Sequence, residues 1–137
     1  MTENVKITLK GSQSDSLGNM DSEVFKEVGR FFKKENASYI IATKEGDVSQ
    51  TSRYKFNHRF LEVVKNGDIS SKLYFEAGKE YRTTYRTQYG GIEISTFTKQ
   101  VTITEENDNI RIFVEYTINS FGERISNNKI DILIENA

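Results

Sequence analysis

Cysteine and proline are both missing from this chain of 137 residues. Without cysteine there are no disulfides, no thiolate metal sites and no thiol nucleophile. Without proline the commonest helix stop and any proline-rich linker are gone. Long apolar runs are missing too: every one falls far below the roughly 18 residues of a membrane span. The start, MTENVKITLKG, shows no apolar stretch after a basic head, so no signal peptide is visible. These absences point to a soluble, cytoplasmic, single-domain protein spanning residues 1–137, with no membrane partner. A chain of this size buries roughly two thirds of its unfolded surface and needs no staples.

A net excess of either charge is missing as well: 19 Lys/Arg stand against 20 Asp/Glu. The net charge of −1 argues against non-specific nucleic-acid binding by the whole domain. The charges are unevenly spread along the chain. Residues 49–104 carry nine Lys/Arg against five Asp/Glu, and residues 105–137 carry three against seven. An antiparallel fold interleaves such segments, so blocks in sequence need not become patches on the surface. The same composition leaves room for a basic face that meets an RNA or an acidic protein.

What the chain does have is alternation. Val5, Ile7 and Leu9 alternate with Lys6, Thr8 and Lys10. Tyr54 and Phe56 alternate with Arg53 and Lys55. Ile69, Ser71, Leu73 and Phe75 share one phase, as do Ile92, Ile94, Thr96 and Thr98. Ile110 to Ile118 alternates without a break, and Ile130, Ile132 and Ile134 close the series. A period of two marks half-buried strands. The one helical candidate is Asp21–Asn36, where Val24, Val28, Phe31 and Phe32 fit a helix face. Gly29 in its middle favours a long strand, bent or bulged at that glycine. Asn66-Gly67 is a hairpin signal, Ala77-Gly78 and Gly90-Gly91 are turns, and SQSDSLGNMDS reads as a polar connection. The expectation is an all-β, single antiparallel meander of eight to ten strands. With no helix to cover its apolar face, the sheet must close on itself as a barrel.

The stretch YRTTYRTQYGG, Tyr81 to Gly91, is the least ordinary strand. Its threonines and tyrosines favour β structure over helix. Alternation puts Tyr81, Thr83, Tyr85, Thr87 and Tyr89 on one face and Arg82, Thr84, Arg86 and Gln88 on the other. Tyrosine joins an apolar body to a hydroxyl that wants a partner. Core packing, a ligand-lined interior and an outward stacking face are all compatible with such a ladder.

From Glu62 onward the order of motifs resembles the YwiB-like family of uncharacterised bacterial proteins. The matching positions are Lys65, Gly67, Phe75, Gly78, Tyr85, Thr87 and Gly90, then the aliphatic strand Val114–Ile118. Upstream, Gly29, Phe31, Phe32 and Glu45 fit the same pattern. Two positions depart from it: Lys65 stands where the family usually has arginine, and Thr43 where it has an aromatic residue. Lysine meets an anion as a point charge, where arginine would grip it in two places. The resemblance implies a calycin-like (lipocalin-like) barrel. It implies no activity.

Catalytic machinery is hard to assemble from these residues. His58 is the single histidine, and it lies in FNHRF at a hairpin tip. No His/Asp/Glu spacing suits a transition metal, and EENDN at Glu105–Asn109 lacks the order of a calcium loop. No catalytic residue, metal or cofactor is therefore assigned. The expected function is non-enzymatic: binding a small, partly apolar ligand that is anionic at one end. The candidate ligand-binding residues are Lys65, Phe75, Tyr81, Tyr85, Thr87, Tyr89 and Arg86. Whether Lys65 points inward is open, because Leu61/Val63 and Phe60/Val64 support opposite phases. The alternative is a basic outer face of Arg53, Lys55, Arg82 and Arg86 that binds RNA or an acidic protein. Pairing of edge strands into a homodimer is compatible with either.

Overall fold

A computed structural model describes every residue except Glu45, Ile69 and Phe121, together with the side chain of Thr87. Glu45 and Ile69 therefore lie outside the described residues. Ten strands follow one another: β1 (Asn4–Asp15), β2 (Met20–Lys34), β3 (Ala37–Lys44), β4 (Asp47–Phe56), β5 (Phe60–Asn66), β6 (Ser71–Glu76), β7 (Glu80–Thr87), β8 (Gly90–Glu105), β9 (Asn109–Ser120) and β10 (Glu123–Asn136). Among the described residues no helix is long and apolar enough to cross a membrane.

The strands form one antiparallel sheet in the order β6-β5-β4-β3-β2-β1-β10-β9-β8-β7. Every neighbour in that order is also a neighbour in sequence, except that β1 pairs with β10. The two ends of the sheet, β6 and β7, meet through the bridge Ser70↔Arg86. The sheet thus curls into a nearly closed barrel, as its one-sided alternation demands.

The alternation reads through to burial. Val5, Ile7 and Leu9 of β1 point inward, as do Ile40 and Ala42 of β3, Tyr54 and Phe56 of β4, and Ile110, Ile112 and Val114 of β9. On β2 the inward phase is Phe25, Glu27, Gly29 and Phe31, while Val24, Val28 and Phe32 face out. The strand reading of Asp21–Asn36 is therefore right, but Gly29 does not bend or bulge it. Register runs unbroken through Gly29, opposite Val5 on one side and Ala42 on the other. The glycine is there for space: a Cβ would stand 2.4 Å from the carbonyl oxygen of Ile41 and 2.9 Å from the Ala42 Cα.

Two other expectations need correction. The polar SQSDSLGNMDS segment is mostly strand, with β1 and β2 paired as far as Ser14↔Met20. Asp15 closes the hairpin by accepting the Leu17 and Asn19 backbone N–H groups, each at 2.9 Å. Polar residues read as loop, yet ladder hydrogen bonds need no apolar side chain. On β8, Ile92 keeps the phase of Thr96 and Thr98 yet is not buried with them: near the open end it is 59% exposed. A bulge between Thr98 and Gln100 then moves the inward phase to Val101 and Ile103, which pair with Val114 and Ile112.

The interior is unevenly filled. At the end carrying both chain termini, Val5, Ile7, Phe31, Ile40, Phe56, Leu61, Ile110, Ile112 and Ile134 make a solid core. The other end carries the β1–β2, β3–β4, β5–β6, β7–β8 and β9–β10 connections, and there the barrel is open.

The space argument at Gly29 is testable. Gly29→Ala should lower stability by about 1–3 kcal/mol through overpacking. Gly11→Ala, whose added Cβ meets nothing within 4 Å, should stay within about 0.5 kcal/mol. Urea denaturation followed by circular dichroism separates them, and equal midpoints would refute the close-approach account.

Candidate functional site

The open end holds a cavity of about 590 Å³. Its floor is the solid core, reached at Phe75 and Tyr116, whose rings lie 4.6 Å apart at 51°. Its walls are Leu9, Phe25, Val63, Leu73, Tyr85, Ile130 and Ile132. Apolar and aromatic walls with a few polar groups are the usual make-up of small-molecule sites.

Lys65 lines this cavity. The question of its phase is thereby answered: β5 turns Leu61, Val63 and Lys65 inward. Opposite Lys65 in register stands Ser52, itself buried. The Lys65 ammonium sits 5.4 Å from the centre of the Phe25 ring, a cation–π distance. Phe75 and Tyr85 also line the cavity. Burial raises the Tyr85 hydroxyl above its ordinary pKa.

Three other candidates do not reach it. Tyr81 packs instead against Tyr74, with ring centres 6.1 Å apart, and Tyr74 stacks on Phe60. Tyr81 thus belongs to the seam between β6 and β7. Arg86 is exposed, and its backbone makes the bridge to Ser70. Tyr89 falls beyond the end of β7, on the two-residue turn Gln88-Tyr89, and is 90% exposed. Alternation cannot carry past a turn, and Thr87 already pairs with Gly90. The side chain of Thr87 lies outside the described residues. His58 is exposed on the β4–β5 turn, at the filled end of the barrel.

One cavity group escaped the sequence reading. Glu27 is 7% exposed and lines the cavity, and the hydroxyl of buried Tyr54 donates to its Oε1. The signal was present: Glu27 breaks an otherwise apolar inward phase on β2. Tyr54 is held well above the ordinary tyrosine pKa, first by burial, then by the neighbouring Glu27 charge and their hydrogen bond. Among the described residues no three His, Asp or Glu side chains converge on a metal-sized site.

The model of a domain of unknown function, DUF1934, matches residues 7–132. The chain belongs to that family. It is 23% identical over 126 residues to the uncharacterised β-barrel protein YwiB of Bacillus subtilis (strain 168), covering 90% of this chain and 89% of YwiB. The crystal structure of ywiB protein from Bacillus subtilis matches with a TM-score of 0.84 at 20% identity, over 98% of this chain and 92% of that one. At such identity the likeness establishes the barrel fold.

The Tyr54–Glu27 pair sets an expectation for alkaline stability. A tyrosine pKa raised in the folded state favours folding below the unfolded value of about 10, and that contribution is lost as pH climbs through the folded value. Stability should therefore fall above about pH 10. Tyr54→Phe should cost about 1–3 kcal/mol near pH 8, because Glu27 loses its donor. Its stability should then decline less steeply above pH 10 than that of the wild type. Parallel declines in urea midpoint would rule out this assignment.

Proposed function

We propose that this chain is a calycin-like, non-enzymatic binding protein that takes a small, partly apolar ligand into the open half of its barrel. The observation that carries this reading is the cavity of about 590 Å³, walled by Phe25, Phe75, Tyr85 and Tyr116 and entered by Lys65. Its volume lies in the range that encloses a drug-sized molecule. The ligand's apolar body lies against the rings, and an anionic end meets the Lys65 ammonium. The lack of cysteine is consistent with a cytoplasmic setting.

The apolar anion 1-anilinonaphthalene-8-sulfonate is a direct probe. It should bind the native barrel with a rise in fluorescence, and Lys65→Met should weaken it about tenfold. Arg86→Ala and Tyr89→Ala, which alter groups outside the cavity, should leave it unchanged. If all three variants bind alike, the probe is not in this cavity and the reading fails.

A second reading places a partner on the outer wall. Phe32 and Tyr39 stack 5.4 Å apart, nearly parallel at 7°. Lys55 lies over Tyr39 at 5.7 Å and over Phe60 at 6.0 Å. Interleaved rings and cations are the make-up of a single-strand RNA platform. It ranks second for two reasons. Lys34 and Lys55 already lie over the ring faces that bases would need. Also, Arg53 and Lys55 on β4 are separated from Arg82 and Arg86 on β7 by two strands. Fluorescence anisotropy with a uridine 20-mer should then show salt-sensitive binding that Lys55→Ala weakens; a flat titration at low salt would dispose of it.

A further inference from the structure

The cavity has a second pole that a purely anionic ligand leaves unused. Glu27 stands in it with its side chain more than nine-tenths buried. A carboxylate offers about four acceptor positions, and here a single hydroxyl, that of Tyr54, donates to it. The ion pairs among the described residues are Arg30–Glu3, Lys33–Glu105 and Arg82–Glu80, so Glu27 has none. Two cations are close by in the fold. Lys65 is engaged with the Phe25 ring. Lys44, directly opposite Glu27 in register, also lines the cavity and is exposed at its mouth, where its charge acts on Asp47.

A buried carboxylate without a cation is costly to a fold. Packing does not ask for one here. Phe25 and Phe31 hold the same phase of β2, and Ile7 is the cross-strand neighbour on β1. Any aliphatic residue would complete that wall. The rings of Phe25, Phe75, Tyr85 and Tyr116 around the cavity add faces that attract a positive charge.

We infer that the ligand is zwitterionic: a protonated nitrogen docks on Glu27, an apolar body lies against the aromatic wall, and an acidic group reaches Lys65. This rests on the cavity-binding reading and adds its second charge. Tyr54 is a positioning residue, holding one carboxylate oxygen so that the other faces the ligand. Glu23, Lys44 and Asp68 also line the cavity, but Glu27 is the buried charge of its wall, and with Lys65 it gives the ligand a preferred orientation.

Three probes with a shared phenyl-propyl body decide it: 4-phenylbutyrate, 4-phenylbutylamine and the zwitterion 4-[4-(aminomethyl)phenyl]butanoate. Each is titrated calorimetrically into the wild type, Glu27→Gln and Lys65→Met. The zwitterion should bind the wild type about tenfold or more tightly than 4-phenylbutyrate, the scale of one charge-assisted hydrogen bond. Glu27→Gln should abolish that advantage while leaving 4-phenylbutyrate as before. Lys65→Met should weaken both acids and spare the amine. A zwitterion no tighter than 4-phenylbutyrate on the wild type overturns the inference, and needs no variant to fold. An advantage that survives in Glu27→Gln overturns it too. If 4-phenylbutyrate binds but the amine-bearing probes gain nothing, the cavity reading stands without its second pole. If no probe binds, both fall.

Discussion

Everything in this barrel depends on the pairing of its first and last strands. β1 and β10 run side by side from Val5↔Asn136 to Asp15↔Ser126. The other ladders join strands that a turn already brings together. Without the β1–β10 ladder the meander would be a strip, with one apolar face in water and two raw edges. Closure hides both at once. It also fixes which residues meet inside, because each strand's phase is set relative to its two neighbours. The cavity is a product of that geometry: the solid core fills the end near the termini, and too few large side chains extend into the other half.

Much of this was legible in the sequence, because burial on one face writes itself as a period of two. Ile110 to Ile118 and Ile130 to Ile134 could hardly be anything else. What was not legible follows from interactions that leave no periodic trace. The bulge after Thr98 exchanges the two faces of β8 midway. The β1–β2 arm is held by backbone bonds between polar residues. Gly29 looked like a bend because glycine often marks one. It serves instead to let β2 and β3 approach closely, which only the partner strand reveals.

The site was legible in part for the same reasons. Phe75 and Tyr85 follow from alternation along their strands, and both line the cavity. Lys65 needed the third dimension, since its neighbours supported either phase. Tyr89 was drawn in by carrying the alternation past Thr87, where β7 ends. Arg86 sits on the opposite, exposed face of the same strand. Glu27 was passed over because a lone acid inside an apolar phase reads as noise. In the barrel it becomes the most deeply buried charge of the cavity wall.

The seam between β6 and β7 carries one further implication. The sheet's natural ends lie in mid-chain, at the Ala77-Gly78 turn, while the two termini lie side by side: the Ala137 amide donates to the Asn4 carbonyl at 3.0 Å. Joined at its termini and reopened at that turn, the same polypeptide would run β7 to β10 and then β1 to β6 in spatial order. Every ladder would then be local. Closure would fall to the β6–β7 seam alone, where the Ser70↔Arg86 bridge would join the first and last strands of the rearranged chain.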